Sequence, residues 1–235
     1  MSPRALTYPL TVTCGTLVVI AAWVPFADLD QVSALAVVAL GVFGYTGYQL
    51  ALAFGVVPSG VADRLDRSSG SAVAPRPGDG TRAAPRSPGE VVAGRRVRQQ
   101  HRLVSRSFLE MSVGGRTVWQ PVFYDPALSA LTPTELEISP RAILAGQTRF
   151  FPSGRARTSE PPGKLVDNPT RPTEPATFTP TRRLILDAQS TVAAPFVGLL
   201  WVYVMNGGLP AFIGATTVAA ATATWLSAIR GSDPT

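Results

Sequence analysis

Two long apolar stretches frame this chain, and a polar, charge-rich segment separates them. Between residues 5 and 56 only Asp28 and Asp30 are charged, and nothing is charged between 188 and 229. A bilayer core about 30 Å thick requires roughly 20 apolar residues in a helix. Four runs meet that length: Leu6 to Ala27, Val32 to Val57, Leu184 to Met205 and Leu209 to Ile229. Such runs must be helical in lipid, which offers backbone groups no hydrogen-bond partner. The short connections after Ala27 and at Asn206-Gly207-Gly208 predict two transmembrane hairpins, 6–57 and 184–229. A cleaved leader is the competing reading of the first run. Its one tolerable cleavage motif, Ile20-Ala21-Ala22, falls inside the apolar run, and the second run follows closely, so a span is expected.

The pattern changes twice in the middle. Residues 58–90 alternate Pro, Gly, Ser, Ala and Arg with few large apolar side chains, the composition of a disordered linker. From 91 to 151 a period of two takes over. Leu109, Met111 and Val113 share one face of an alternating run, Gly114-Gly115 signals a hairpin, and Arg116 to Tyr124 returns with Trp119 and Phe123 on one side. Pro121 marks that return as an edge strand. Glu135 to Ser139 alternates, and Ala142 to Ala145 and Thr148 to Phe151 add short strands. The expectation is a small barrel or curled sheet. Residues 152–183 turn irregular again, with seven prolines in 152–180, and read as a Pro-rich linker. The fold class is therefore a four-helix membrane protein carrying a small, mainly β cytoplasmic module between disordered linkers.

Charge sets the direction. Segment 57–183 holds 19 basic and 11 acidic residues, while Arg4, Arg182, Arg183 and Arg230 flank the same ends of the spans. Basic residues gather on the cytoplasmic side, so both termini and the module are expected inside a plasma membrane. Of the 21 basic residues all but Lys164 are Arg, a bias of GC-rich bacterial genomes. Trp23, Trp201 and Tyr203 would then lie near the outer interface, and Tyr8 and Trp225 near the inner one.

Small residues predict how the spans pack. Gly41, Gly44 and Gly47, continued by Ala51 and Gly55, let helix backbones approach closely. Ala211, Ala215, Ala219 and Ala223 repeat the four-residue spacing of Gly47, Ala51 and Gly55 in the fourth span. Pro195 should kink the third. Asp187, one turn beyond Arg183, is expected to form an ion pair at headgroup level.

Candidate chemistry is sparse. Arg95, Arg96, Arg98, Arg102 and Arg106 form the densest charge cluster, suited to anionic lipid headgroups. No aromatic-interleaved motif accompanies them, so nucleic acid is not expected. Glu135 and Glu137 point the same way, as acid–base pairs can, but a solvated strand face accounts for them. One cysteine, Cys14, and one histidine, His101, leave no metal-ligand spacing, and no phosphate loop or nucleophile elbow is present. No cofactor is expected. The leading expectation is a non-enzymatic accessory or scaffold protein whose module contacts a partner or the inner leaflet, with a membrane protein or a second copy packing on its helices. A transporter or channel subunit comes second, and a membrane enzyme acting on envelope precursors third.

Overall fold

Strand β1, Glu90–His101, lies at the centre of the middle segment and pairs antiparallel with three others. The computed structural model describes residues 4–61, 90–101, 104–113, 115–139, 142–167 and 178–235. Around β1 stand β2 (Val104–Val113), β3 (Arg116–Val122), β4 (Thr134–Ser139), β5 (Ala142–Ala145), β6 (Thr148–Phe150) and β7 (Lys164–Val166). The order is β3-β2-β1-β4-β5-β6, with β7 beside the far end of β1. The sheet curls until its ends meet. Beyond β6 the chain bridges β3 at Val122 and Pro152, with Phe123 N donating to Phe151 O at 2.9 Å and Ser153 N to Pro121 O at 2.9 Å. Strand alternation turns Val92, Leu109, Met111, Val113, Val118, Val122, Leu136, Ile138, Ile143 and Phe150 into one buried cluster.

The module is larger than its hydrophobic pattern indicates. Pro152, Ser153 and Ala156 are buried, Trp119 and Arg157 exchange backbone hydrogen bonds at 2.8 Å, and β7 falls inside the expected Pro-rich linker. Prolines at 152, 161 and 162 hide this continuation from a period-two reading, because the pairing uses backbone groups. Val61, in the expected 58–90 linker, is also in the core, and Ser59 O accepts from Ala156 N at 2.8 Å. The rest of that linker up to Gly89, together with Arg102, Gly114 and the Pro169–Pro175 repeat, lies outside the described residues.

Helices α1 (Arg4–Trp23) and α2 (Leu29–Ala53) precede the sheet. A single turn, α3 (Pro126–Ser129), follows β3, and α4 (Pro180–Ala188), α5 (Ala194–Met205) and α6 (Gly208–Ile229) complete the chain. Four helical segments are long and apolar enough to cross a membrane: Arg4–Phe26, Leu29–Ala53, Pro180–Met205 and Gly208–Ile229. Helix α2 starts at Leu29 because the Asp28 carboxylate accepts from Gln31 N at 2.9 Å, satisfying a first-turn amide. The third segment is broken: a tighter turn over Gln189–Ala193 joins α4 to α5, and Pro195 sits in the first turn of α5. Proline lacks the amide that would have continued the ladder.

Helix contacts run chiefly between α5 and α6 and between α1 and α6. At Gly198 an added Cβ would stand 3.1 Å from both Phe212 Cδ2 and Phe212 O and press on the Thr216 hydroxyl. At Gly214 it would stand 2.9 Å from the Trp23 ring. Among the described residues these two glycines carry close approaches between helices. Gly41, Gly44 and Gly47 face open space, with nothing within 4 Å of a Cβ. Gly55 ends α2 instead: at φ +71° it lets Val56 N reach Ala51 O at 2.8 Å and Gly55 N reach Leu52 O at 3.1 Å, a left-handed helix stop. Gly198→Ala should therefore cost about 1–3 kcal/mol by overpacking, while Gly41→Ala should not lower the unfolding temperature in detergent. Equal unfolding temperatures for the two variants would refute this assignment.

Candidate functional site at the junction of helices and barrel

Asp187 is the fastening point of the junction. It projects from α4 and is only 4% exposed. Three hydroxyls donate to it: Tyr8 Oη of α1 at 2.6 Å, Ser227 Oγ of α6 at 2.8 Å and Ser232 Oγ of the following tail at 3.0 Å. A carboxylate offers about four lone-pair sites, so these donors use most of its capacity. The expected ion pair with Arg183 does not form. The Arg183 guanidinium lies instead over the Tyr8 ring, 4.0 Å from its centroid, and 5.3 Å from the Tyr124 centroid. Tyr8 and Trp225 are buried in the protein; Trp225 Nε1 donates to Thr46 Oγ1 at 3.1 Å. Each has a polar tip that finds a partner inside.

Below Asp187 the tail, residues 231–235, closes one end of the barrel. Gly231 has φ +80°, and a Cβ there would meet Ser153 Oγ at 2.7 Å and Val122 O at 3.0 Å, so a glycine lets the chain pass. Ser232 then bridges Arg106, and Asp233 N donates to Ser105 O at 2.9 Å, where β2 has run past the end of β3. The Asp233 carboxylate turns inward, where Arg96 Nη2 donates to it at 2.6 Å and Ser107 Oγ at 2.5 Å. Burial alone would raise its pKa. Arg96, the Ser107 bond and two bonds from Thr235 outweigh burial and hold the carboxyl below the usual range. Tyr124, beside this end, is pushed up to about 12, first by burial and then by the Asp233 charge.

The arginine cluster is divided by strand geometry. Arg95 faces outward and pairs with Glu110 at 3.0 Å and Asp167 at 3.1 Å. Arg96 faces inward to Asp233 at 2.6 Å, and Arg98 Nη1 donates to Thr235 Oγ1 at 3.3 Å. Arg106 is half-buried, its Nε is shielded from solvent, and that atom has no hydrogen-bond partner. Glu135 and Glu137 are both exposed on β4, which fits a solvated strand face. His101 is exposed, and Asp125 caps α3 by accepting from Ala127 N at 2.9 Å.

No known family profile, curated protein or solved structure matches this chain. The site is therefore read from its own geometry. No group of three metal-binding side chains occurs among the described residues. An apolar cavity of about 640 Å³ opens between α1, α2, α5 and α6. Trp23, Trp201, Leu35, Val38, Ala215 and Val218 line it, with Asp28, Gln31 and Thr222 as its polar members.

Sequence reading missed the tail and the inward role of Arg96. The signal was present in Ser232 and Asp233, polar residues directly behind an apolar helix, but it names no partner without the strand register.

Proposed function

We propose that the chain is a non-enzymatic scaffold of the plasma membrane. Its barrel is held on the cytoplasmic side for a partner or the inner leaflet, and its helices pack with a partner helix or a second copy. The single observation behind this reading is the Asp187 junction, in which one buried carboxylate ties α1, α4, α6 and the tail together. Its lone pairs serve the protein's own hydroxyls, an arrangement suited to holding the barrel in one orientation and unsuited to proton transfer with a substrate. The cytoplasmic placement rests on the bias of basic residues toward one end of the spans.

The open glycine face of α2 supplies the helix contact. Purification of the full chain in mild detergent should recover a stoichiometric partner or a second copy. Changing Gly41, Gly44 and Gly47 together to Leu should release it without lowering the unfolding temperature, since no described residue stands within 4 Å of a Cβ at those positions. A clean monomer in every detergent would count decisively against the scaffold.

The apolar cavity favours a second reading, a transporter or channel subunit. Its volume of about 640 Å³ lies in the range of ligand pockets. Reconstituted protein that never raises liposome permeability to apolar solutes would end that reading.

A further inference from the structure

We propose that Arg106 and Arg230, with the Tyr45 hydroxyl, form a binding site for a phosphate group where the end of α6 meets the barrel. The inference does not depend on what the barrel holds. Both arginines come to one place through the backbone: Arg106 bridges Ser232, two residues beyond Arg230. Both are half-buried. Among the described residues neither has a carboxylate within 4 Å, whereas Arg95 has two and Arg96 has one. Placing two half-buried guanidinium groups near each other, with no described carboxylate beside them, is unfavourable. Burial, then the charge of Arg230, lowers the pKa of Arg106, which records the same strain.

Donors at this place lack acceptors. Arg106 Nε is shielded from solvent and bonded to nothing. Arg230 Nε donates to Tyr45 Oη at 3.2 Å, and Gln49 Nε2 donates to the same oxygen at 2.8 Å. That oxygen accepts twice, so its own proton is available to a ligand. The remaining guanidinium nitrogens of Arg230 make no hydrogen bond among the described residues. Two arginine forks and a phenol match the oxygens of a phosphate ester, because guanidinium groups bind phosphate through paired, charge-assisted bonds. Arg230 is the first residue past α6, the depth at which a phospholipid headgroup stands beside a membrane-spanning helix. A free phosphate presents the same chemistry.

The test uses the full chain in nanodiscs. In one arm the discs hold phosphatidylglycerol mixed with phosphatidylcholine, and native mass spectrometry counts phosphatidylglycerol molecules retained on release. In the other, discs of phosphatidylcholine alone are titrated with inorganic phosphate. Wild-type protein should show tight retention or saturable binding, weakened at least tenfold by Arg106→Gln with Arg230→Gln. The control pair Arg116→Gln with Arg155→Gln, both exposed, should leave it unchanged. Should the glutamine pair fail to fold, Arg106→Lys with Arg230→Lys keeps the charge, loses the fork, and should bind with intermediate strength. Loss confined to the first arm assigns the site to a lipid headgroup; loss in the second assigns it to free phosphate. Binding that is absent in both arms, or equal in wild type and variants, overturns the proposal.

Discussion

Asp187→Ala should be among the two most destabilising single substitutions in this protein, costing about 3–5 kcal/mol. It removes the only acceptor that the Tyr8, Ser227 and Ser232 hydroxyls share. All three residues are less than 10% exposed, so water does not replace the lost oxygens at no cost. In detergent the apparent unfolding temperature should drop on the order of 10 °C. Asp187→Asn separates the two contributions. An amide oxygen can accept from Tyr8 and Ser232 while the amide NH₂ donates to Ser227 Oγ, since a serine hydroxyl also accepts. If the hydrogen bonds matter most, Asn should cost about 1 kcal/mol. If the negative charge beside Arg183 matters most, Asn should approach Ala. An Asp187→Ala protein that unfolds with wild type would remove the junction from the proposed function.

The helices were legible because their signal is local and repeats over twenty residues. The break of the third segment beside Pro195 was legible too, but the start of α2 was not, because it depends on one side chain, the Asp28 cap. Strands with a plain alternation, such as β2 at Leu109, Met111 and Val113 and β4 at Leu136 and Ile138, were also readable. Strand β1 was not. Its inward positions run Val92, Gly94, Arg96, Arg98, and two arginines facing a core break the expected pattern. The compensation comes from Asp233 and Thr235, more than 130 residues away. The same limit hid the junction. Asp187 draws donors from the first helix and from beyond the last, and no sequence window spans them. The glycine stripe shows the opposite case: a local pattern on α2 that no described residue of the chain packs against.

Replacing Arg96 should release the tail and invert its response to acid. In wild type the Asp233 side chain is fully buried, and Arg96 is its one ion-pair partner among the described residues. Arg96→Met leaves a carboxylate that must either stay buried unpaired, at about 3–5 kcal/mol, or take the tail into water. The second route caps the loss at the energy of tail docking. Amide hydrogen exchange at Asp233, whose N–H donates to Ser105 O, should then lose at least about 100-fold in protection. The double variant Arg96→Met with Asp233→Leu removes both charges and should recover most of that protection, giving a coupling well above 1 kcal/mol in the cycle.

The pH series follows from the sign of the Asp233 shift. Its pKa in the docked state lies below that of a free carboxylate, so the undocked tail binds the proton more readily. Docking energy from this pair is therefore fully present above about pH 4 and falls as pH drops through the docked-state pKa. Without Arg96, burial becomes the dominant influence and raises the carboxyl pKa. The docked tail then prefers the proton, and its protection should grow as pH falls. Exchange protection that declines on acidification in both proteins would show that Asp233 is not the group holding the tail, and that the barrel end is closed by its backbone bridge to β2 alone.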